Sequence, residues 1–392
     1  MFASAPGKLI LTGEYAVLDG APALVAAVDR RVTAKRQAGP RGSSPFLLAV
    51  ADAIAARRGA QDPAVKAAME IVVDSRALYD DDTKLGLGSS AAVTVAATAL
   101  ALAGDSRVPV IDREEVLAIA LAAHARAQGG RRSHRSTGEI VPAPPSRPSA
   151  PEITPGGRPR SSTGPIVPHQ TRARTASELA ELPAVSRGSG ADIAAAVHGG
   201  LIAFSRTDLR AEPVDAETHR LRPSEMPRIE RIGWPAQLAF IPFFTGAAAD
   251  TATLVAQVEA ARAATPTPVE AAIAAIAKAS RAACQACAMR EPEIASKALL
   301  AALQLAAIAM DQLAAASGVA LVPPCVLRAR SAMTALSGTA KTTGAGGGDV
   351  GIAVIPATED VTVARRLLIE AGCQPLVMKL DQTGVDLQPD AQ

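Results

Sequence analysis

Two glycine-rich segments, far apart in the sequence, limit what this chain can become. The first is Lys84-Leu-Gly-Leu-Gly-Ser-Ser-Ala-Ala92 and the second is Lys341-Thr-Thr-Gly-Ala-Gly-Gly-Gly-Asp349. A loop that cradles phosphates needs backbone N–H groups converging on an anion, and glycine lets the backbone come that close. The first segment runs directly into Ala91 to Ala103, which reads as a helix closed by Gly104. A glycine-rich loop that feeds a helix N-terminus is an anion site by construction. A nucleotide is therefore the expected ligand, although no G-x-x-x-x-G-K-[ST] stretch is present.

Two further segments strengthen this reading. Near the N-terminus stands Ala5-Pro-Gly-Lys-Leu-Ile-Leu-Thr-Gly-Glu-Tyr-Ala-Val-Leu-Asp-Gly20, an apolar strand with an early Lys followed by Gly-Glu-Tyr. In the middle stands Gly188-Ser-Gly-Ala-Asp-Ile-Ala-Ala-Ala-Val-His-Gly-Gly200. Together, in this order, the four segments resemble the motifs of the GHMP kinases, named for galactokinase, homoserine kinase, mevalonate kinase and phosphomevalonate kinase. Several details are most similar to the bacterial-type phosphomevalonate kinases. These are Gly13-Glu-Tyr15, Lys84 before the Gly-Leu-Gly loop, Asp349 closing the third motif, Phe244-Thr-Gly246 with the later Leu254-Val255, and Gly372-Cys-Gln-Pro-Leu376 with Gly384-Val385. The chain departs from that family in having few aromatics around the motifs: Trp234, Tyr15, Tyr79 and six Phe.

The resemblance implies an α+β fold, with a ribosomal-protein-S5-domain-2-like N-terminal domain, a ferredoxin-like C-terminal domain and the active site in the cleft between them. The corresponding division of this chain is 1–205 and 206–392. It implies ATP-dependent phosphorylation of phosphomevalonate with Mg²⁺. The implied catalytic residues are Lys8 and Asp192. Lys84, Gly86, Leu87, Gly88, Ser89 and Ser90 are implied to hold the nucleotide, with the Ser90 hydroxyl a Mg²⁺ ligand. Tyr15, Ser189, Gly190, Gly344, Ala345, Gly346, Gly347 and Asp349 are implied to line the substrate side, with Gly348 in the same loop. Asp349, itself an anion, is expected to hold a Lys, an N–H or a water rather than a phosphate. A mevalonate kinase, a sugar kinase of the same fold, and a non-catalytic scaffold stay open as alternatives. Intact Lys8, Ser90 and Asp192 speak against the last.

Composition limits the rest. With 392 residues the chain can bury a large core and is long enough for two domains. Its net charge of +2 hides an asymmetry, because 131–175 contains eight Arg, no Lys and only Glu139 and Glu152. The stretch from 129 to 183 has no Phe, Tyr or Trp, and carries a near repeat, Ser136-Thr-Gly-Glu-Ile-Val-Pro142 and Ser162-Thr-Gly-Pro-Ile-Val-Pro168. Such a segment cannot bury enough apolar area to offset its ordering entropy, so 131–183 reads as a disordered surface insert, with a short helix expected at 177–182. Without stacking aromatics, its Arg content does not predict nucleic-acid binding. No signal-peptide pattern opens the chain, the apolar run Ala298–Met310 reads as a core helix, and no membrane association is expected; cytoplasm is the expected location. Cys284 and Cys287 read as small core residues, since no partner ligands sit at metal-binding spacing.

Overall fold

The structure, a computed structural model, describes residues 1–37, 44–80, 83–104, 110–135, 188–206 and 226–389, with backbone alone for 129–135. Apart from its first residues, the Arg-rich insert lies outside these, as do its near repeat and the helix expected at 177–182. Residues 1–128 and 187–392 form one compact unit, separate from 129–186.

The chain opens with two long antiparallel strands, β1 (Phe2–Thr12) and β2 (Ala23–Arg36). From Ala23 to Val28 and again from Arg31 the sequence reads as strand, and β2 spans both; Asp29 and Arg30 stand opposite no residue of β1, whose partners jump from Arg31 to Val28. The register shifts between Pro6 and Gly7. The two unpaired residues form a bulge in β2 opposite the Pro6–Gly7 step, just before Lys8. Next come α1 (Pro45–Arg58), α2 (Pro63–Ala68), β3 (Ile71–Asp74), and the small hairpin of β4 (Tyr79–Asp80) and β5 (Thr83–Lys84). The first glycine segment then leads into α3 (Ser89–Ala103). Residues Ala91 to Ala101 of α3 are all buried, as a helix apolar on every side must be. In α4 (Arg113–Arg135), Asp112 accepts the N–H groups of Glu114 and Glu115, both at 3.1 Å, which is the cap its position predicts. The Gly188–Gly200 segment supplies α5 (Ala191–His198), followed by β6 (Leu201–Ser205) and β7 (Arg228–Ile232). β7 was not foreseen, since three of its five residues, Arg228, Glu230 and Arg231, are charged and exposed.

The second half begins at β8 (Leu238–Phe244) and continues through α6 (Thr251–Ala264), α7 (Pro266–Cys287), α8 (Pro292–Ser317) and α9 (Pro324–Thr334). Then follow β9 (Thr339–Thr342), β10 (Val350–Pro356), α10 (Val361–Glu370), β11 (Gln374–Pro375) and β12 (Asp386–Gln388). Gln374 to Leu380 reads as a last strand in the sequence, but only Gln374 and Pro375 pair, with β8. By length and composition α8 could cross a bilayer, which the shorter run 298–310 did not suggest. Its Leu299, Leu303, Ala306, Met310 and Leu313 are nevertheless buried, and it packs along α7, as a core helix does.

Two larger sheets organise these elements. The first has the order β12-β1-β2-β6-β7, with β3 pairing the far end of β2. The second has the order β11-β8-β10-β9, every neighbour antiparallel. Its chain order, strand, helices, two strands, helix, strand, is the ferredoxin-like βαββαβ arrangement that was expected. The expected boundary at 205/206 falls inside the first sheet, between the paired strands β6 and β7, and β12 returns to that sheet from the C-terminal end. The main core is continuous from β1 to Leu303, Val350 and Val385. A second cluster joins Tyr15 to α7 and α8, and a third fills the space between the second sheet and α9 and α10.

Cys284 and Cys287 lie in α7 as free thiols, with burial pushing them up to about 11 and about 12. Thiols so protonated are poor nucleophiles and ligands, which agrees with the packing role.

Candidate active site

β1, α3 and α5 meet at one place, and this is where the chemistry-bearing residues of the Lys8 strand, the phosphate loop and the Gly188–Gly200 segment converge. β1 carries Lys8. The backbone N–H of Lys8 donates to Leu87 O at 2.9 Å, which ties the strand to the phosphate loop. Leu85 and Leu87 are buried and anchor that loop, so Leu87 offers a ligand its backbone only. Gly86 and Gly88 have φ of 70° and 75°, a conformation that favours glycine. A Cβ on Gly88 would lie 2.9 Å from the Lys8 Cε, so the Lys side chain runs directly over the loop.

α3 begins at Gly88 with no side chain capping it. The N–H groups of its first turn therefore lack an intrahelical partner and, with the helix dipole, favour an anion. Ser89 and Ser90 stand in this turn, half-buried. α5 begins at Gly190, also at positive φ, with the Ser189 Oγ accepting the Ala191 N–H at 3.2 Å. Asp192 sits in that first turn, half-buried, and its Oδ1 accepts the N–H of Ile193 at 3.0 Å. α3 and α5 pack against each other and against β1.

The electrostatics confirm the grouping. Burial lowers the Lys8 pKa below that of an ordinary lysine; Asp192 and Asp349 act against this and Lys84 adds to it. Burial raises the Asp349 carboxyl, while the Ala249 N–H, Lys8 and Lys84 pull it down. Two cations and two carboxylates thus act on one another in a partly desolvated space. Lys84 itself is exposed, at the end of the β4–β5 hairpin.

The third motif closes this space from the second sheet. Asp349 is one of two described non-glycine residues at positive φ, 56°. It is braced on both sides of its backbone: its N–H donates to Ala247 O at 2.7 Å and its carbonyl accepts from Thr245 Oγ1 at 2.9 Å. Its Oδ1 accepts the Ala249 N–H at 3.1 Å, one of the partners expected for it. Gly346, Gly347 and Gly348 are held close to Leu321, Leu254 and Ala247, so these glycines serve loop packing. Gly344 is different, since nothing would meet a Cβ there, and its N–H donates to Ile10 O at 3.1 Å.

Tyr15 requires a correction. It was expected on the substrate side, but it is 4% exposed within the second core cluster, and its hydroxyl donates to Ala345 O at 2.8 Å. It braces the third motif rather than offering a free hydroxyl.

Three residues near the site escaped the sequence reading. His124 in α4 is buried, stacks on Phe46 with ring centroids 5.4 Å apart, and places its Nε2 3.1 Å from the Ser90 Oγ. Burial and Lys8 lower its pKa, against Asp192. Lys341 and Glu14 form a fully buried ion pair at 2.5 Å, with the Lys341 ammonium also donating to Leu11 O and Thr342 O. That pair joins the first and third motifs behind the site. The one signal that pointed to His124 was its position on the apolar face of a predicted helix.

The donor set fits a nucleotide phosphate, with uncapped helix N–H groups, a glycine loop without Cβ atoms and a lysine lying across it. Among the described residues no group of three or more His, Cys, Asp or Glu could hold a metal. A magnesium ion here would depend on few protein ligands, with phosphates and waters completing its shell, which is its usual habit. The Ser90 hydroxyl, the ligand expected from the resemblance, stands in the first turn of α3.

Neither a protein-family model nor a curated protein sequence matches this chain. Solved structures do. A Lin0012 protein from Listeria innocua is 20% identical over 98% of each chain, with a TM-score of 0.68. The Streptococcus pneumoniae phosphomevalonate kinase, in complex with phosphomevalonate and AMPPNP, is 16% identical over 97% of this chain and 99% of its own, with a TM-score of 0.65. The Lactococcus lactis galactokinase complexed with galactose is 11% identical over 98% and 93%, with a TM-score of 0.54. From end to end, this chain has the fold of the GHMP kinases.

Proposed function

We propose that this protein transfers the γ-phosphoryl group of ATP to a small phosphorylated acceptor, phosphomevalonate, to give the diphosphate. The observation that carries the reading is Lys8, drawn across the glycine loop beside the uncapped start of α3 and under the influence of Asp192 and Asp349.

Phosphoryl transfer depends on positioning and charge neutralisation more than on covalent chemistry. Gly86, Gly88, Ser89 and Ser90 would hold the nucleotide phosphates through backbone N–H groups, with Lys84 at the rim. Ser90 would be one ligand of Mg²⁺, which would supply charge neutralisation at the nucleotide phosphates. Lys8 stabilises the charge that develops on the transferred group and the attacking oxygen. Its lowered pKa reflects a site short of water, where a fixed cation acts more strongly.

Asp192 orients Lys8 and the acceptor. The acceptor class decides whether it must do more. A phosphate monoester has a second pKa near ~6, so at neutral pH its attacking oxygen is already ionised and needs no base. The details of Gly13-Glu-Tyr15, Lys84 and Asp349 favour this acceptor over an alcohol.

Coupled release of ADP from ATP, with phosphomevalonate, mevalonate, galactose and further sugars offered in parallel, tests the proposal. Release with phosphomevalonate far above the others is expected. Release confined to mevalonate or a sugar would move the acceptor elsewhere, and release with none would remove the activity.

A further inference from the structure

α4 carries His124 and Gln128 one helical turn apart, and together they link the phosphate loop to the segment that holds Asp192. The chain of contacts starts at the Ser90 Oγ, 3.1 Å from the His124 Nε2. The Gln128 Nε2 lies 3.5 Å from the same ring nitrogen. At the other end of that amide, the Gln128 Oε1 accepts the N–H of Gly188 at 3.3 Å. Gly188 opens the Gly-Ser-Gly-Ala-Asp run that ends in Asp192.

The direction of these bonds follows from the chemistry of each group. Because the Gln128 oxygen is used by Gly188, its NH₂ faces His124, and an NH₂ can only donate. The His124 Nε2 is then an acceptor and the imidazole is the Nδ1–H tautomer; its single in-plane lone pair goes to the closer donor, the Ser90 hydroxyl at 3.1 Å, while the Gln128 NH₂ at 3.5 Å is a weak second contact. A serine hydroxyl free to rotate can donate to a phosphate oxygen or accept. Once its proton is committed, both lone pairs of the Oγ are left for whatever occupies the loop. His124 has little freedom to abandon the bond, being 4% exposed and stacked on Phe46.

We propose that His124, oriented by Gln128, is a positioning residue that fixes the Ser90 hydroxyl as a lone-pair donor towards the magnesium ion accompanying the nucleotide. The inference rests on the phosphoryl-transfer reading above. It assigns to α4 a task that neither residue performs by touching substrate.

The test measures binding rather than turnover. A fluorescent, non-hydrolysable ATP analogue is titrated into the full chain at a series of free Mg²⁺ concentrations. The wild type is expected to bind more tightly as Mg²⁺ rises. His124→Phe keeps the ring and its stack but removes the nitrogen. It should raise the Mg²⁺ needed for half of that tightening by about tenfold or more, the usual effect of losing a partner behind a metal ligand, while metal-free binding stays as in the wild type. His124→Gln, which restores an acceptor, should recover much of the loss. In a Ser90→Ala background, His124→Phe should cost nothing further, whereas a purely structural role would still be felt. Should His124→Phe not fold, Gln128→Met gives the same readout, with a loss of the same sign expected. Wild-type Mg²⁺ dependence in the folded variant would overturn the inference alone. A wild type that binds no nucleotide at any Mg²⁺ concentration would bring down the proposed function, and the inference with it.

Discussion

The Asp349 carboxylate occupies the space where a side chain on Gly86 would begin. The third glycine segment is therefore locked against the first across a gap that only a hydrogen can fill. Gly86→Ala should disturb both at once, by placing a Cβ at positive φ and driving it into Asp349. We expect a loss of about 1–3 kcal/mol in stability, together with weakened nucleotide binding. Thermal unfolding and a nucleotide titration check this, and a variant indistinguishable from wild type in both would contradict the packing described.

Lys8→Ala should lower kcat by roughly 10²-fold or more, the usual result of removing one fixed electrostatic group. The pH dependence adds a second check. Because burial lowers the Lys8 pKa in the free protein, it loses its proton at a lower pH than an ordinary lysine, whose pKa is ~10.4. The alkaline limb of kcat/KM should accordingly fall below that value, and it should vanish in Lys8→Arg, which stays charged. An alkaline limb unchanged in Lys8→Arg would take Lys8 out of the profile.

The motifs of this site were legible in the sequence for a physical reason. A loop that approaches an anion leaves glycines, so Gly86 and Gly88 mark themselves, while Ser90 and Asp192 were picked out by the resemblance of their segments to the GHMP motifs. Lys8 was singled out by its place in the first motif. His124 was not, because its bond to Ser90 exists only once α4 packs beside α3, and a lone histidine on an apolar face carries no sign of its partner. Lys341 was hidden by its charge, since a lysine at the edge of a glycine loop reads as a phosphate or surface residue, yet it is 1% exposed and tied to Glu14. Tyr15 gave no sign of its packing role, because its bond to Ala345 O forms only once the third motif folds against the first. The short strands β7 and β12 owe their form to the edges they pair with, not to any pattern of their own.

The buried pair yields a stability prediction with a defined sign. Lys341→Met strands the Glu14 carboxylate, whose pKa burial already raises against the pull of Lys341. Removing one partner of such a pair costs about 3–5 kcal/mol. With the ammonium gone the Glu14 pKa rises further, so the folded state binds more protons than the unfolded one above the ordinary Glu value of ~4.3. Stability must then fall as pH rises. The variant should be closer to wild type at pH 5 than at pH 8, and Glu14→Gln added to it should restore part of the loss. Urea unfolding at the two pH values decides, and a deficit independent of pH would contradict the pair's role.

Asp192 distinguishes the acceptor classes. With a phosphate nucleophile the acid limb of the rate profile belongs to the substrate, near ~6, and should persist in an Asp192→Asn variant that retains measurable rate. With an alcohol nucleophile the limb would belong to the Asp and disappear with it. Profiles of kcat/KM against pH for both proteins make the comparison.

The central claim is that a phosphate, not a hydroxyl, receives the phosphoryl group, and ³¹P NMR of a turnover mixture observes that bond directly. With ATP, Mg²⁺ and phosphomevalonate, the monoester resonance should give way to the coupled pair of a diphosphate ester while ADP accumulates. A mixture in which the phosphomevalonate signal persists, but mevalonate or a sugar offered in its place acquires a new monoester resonance, would contradict it.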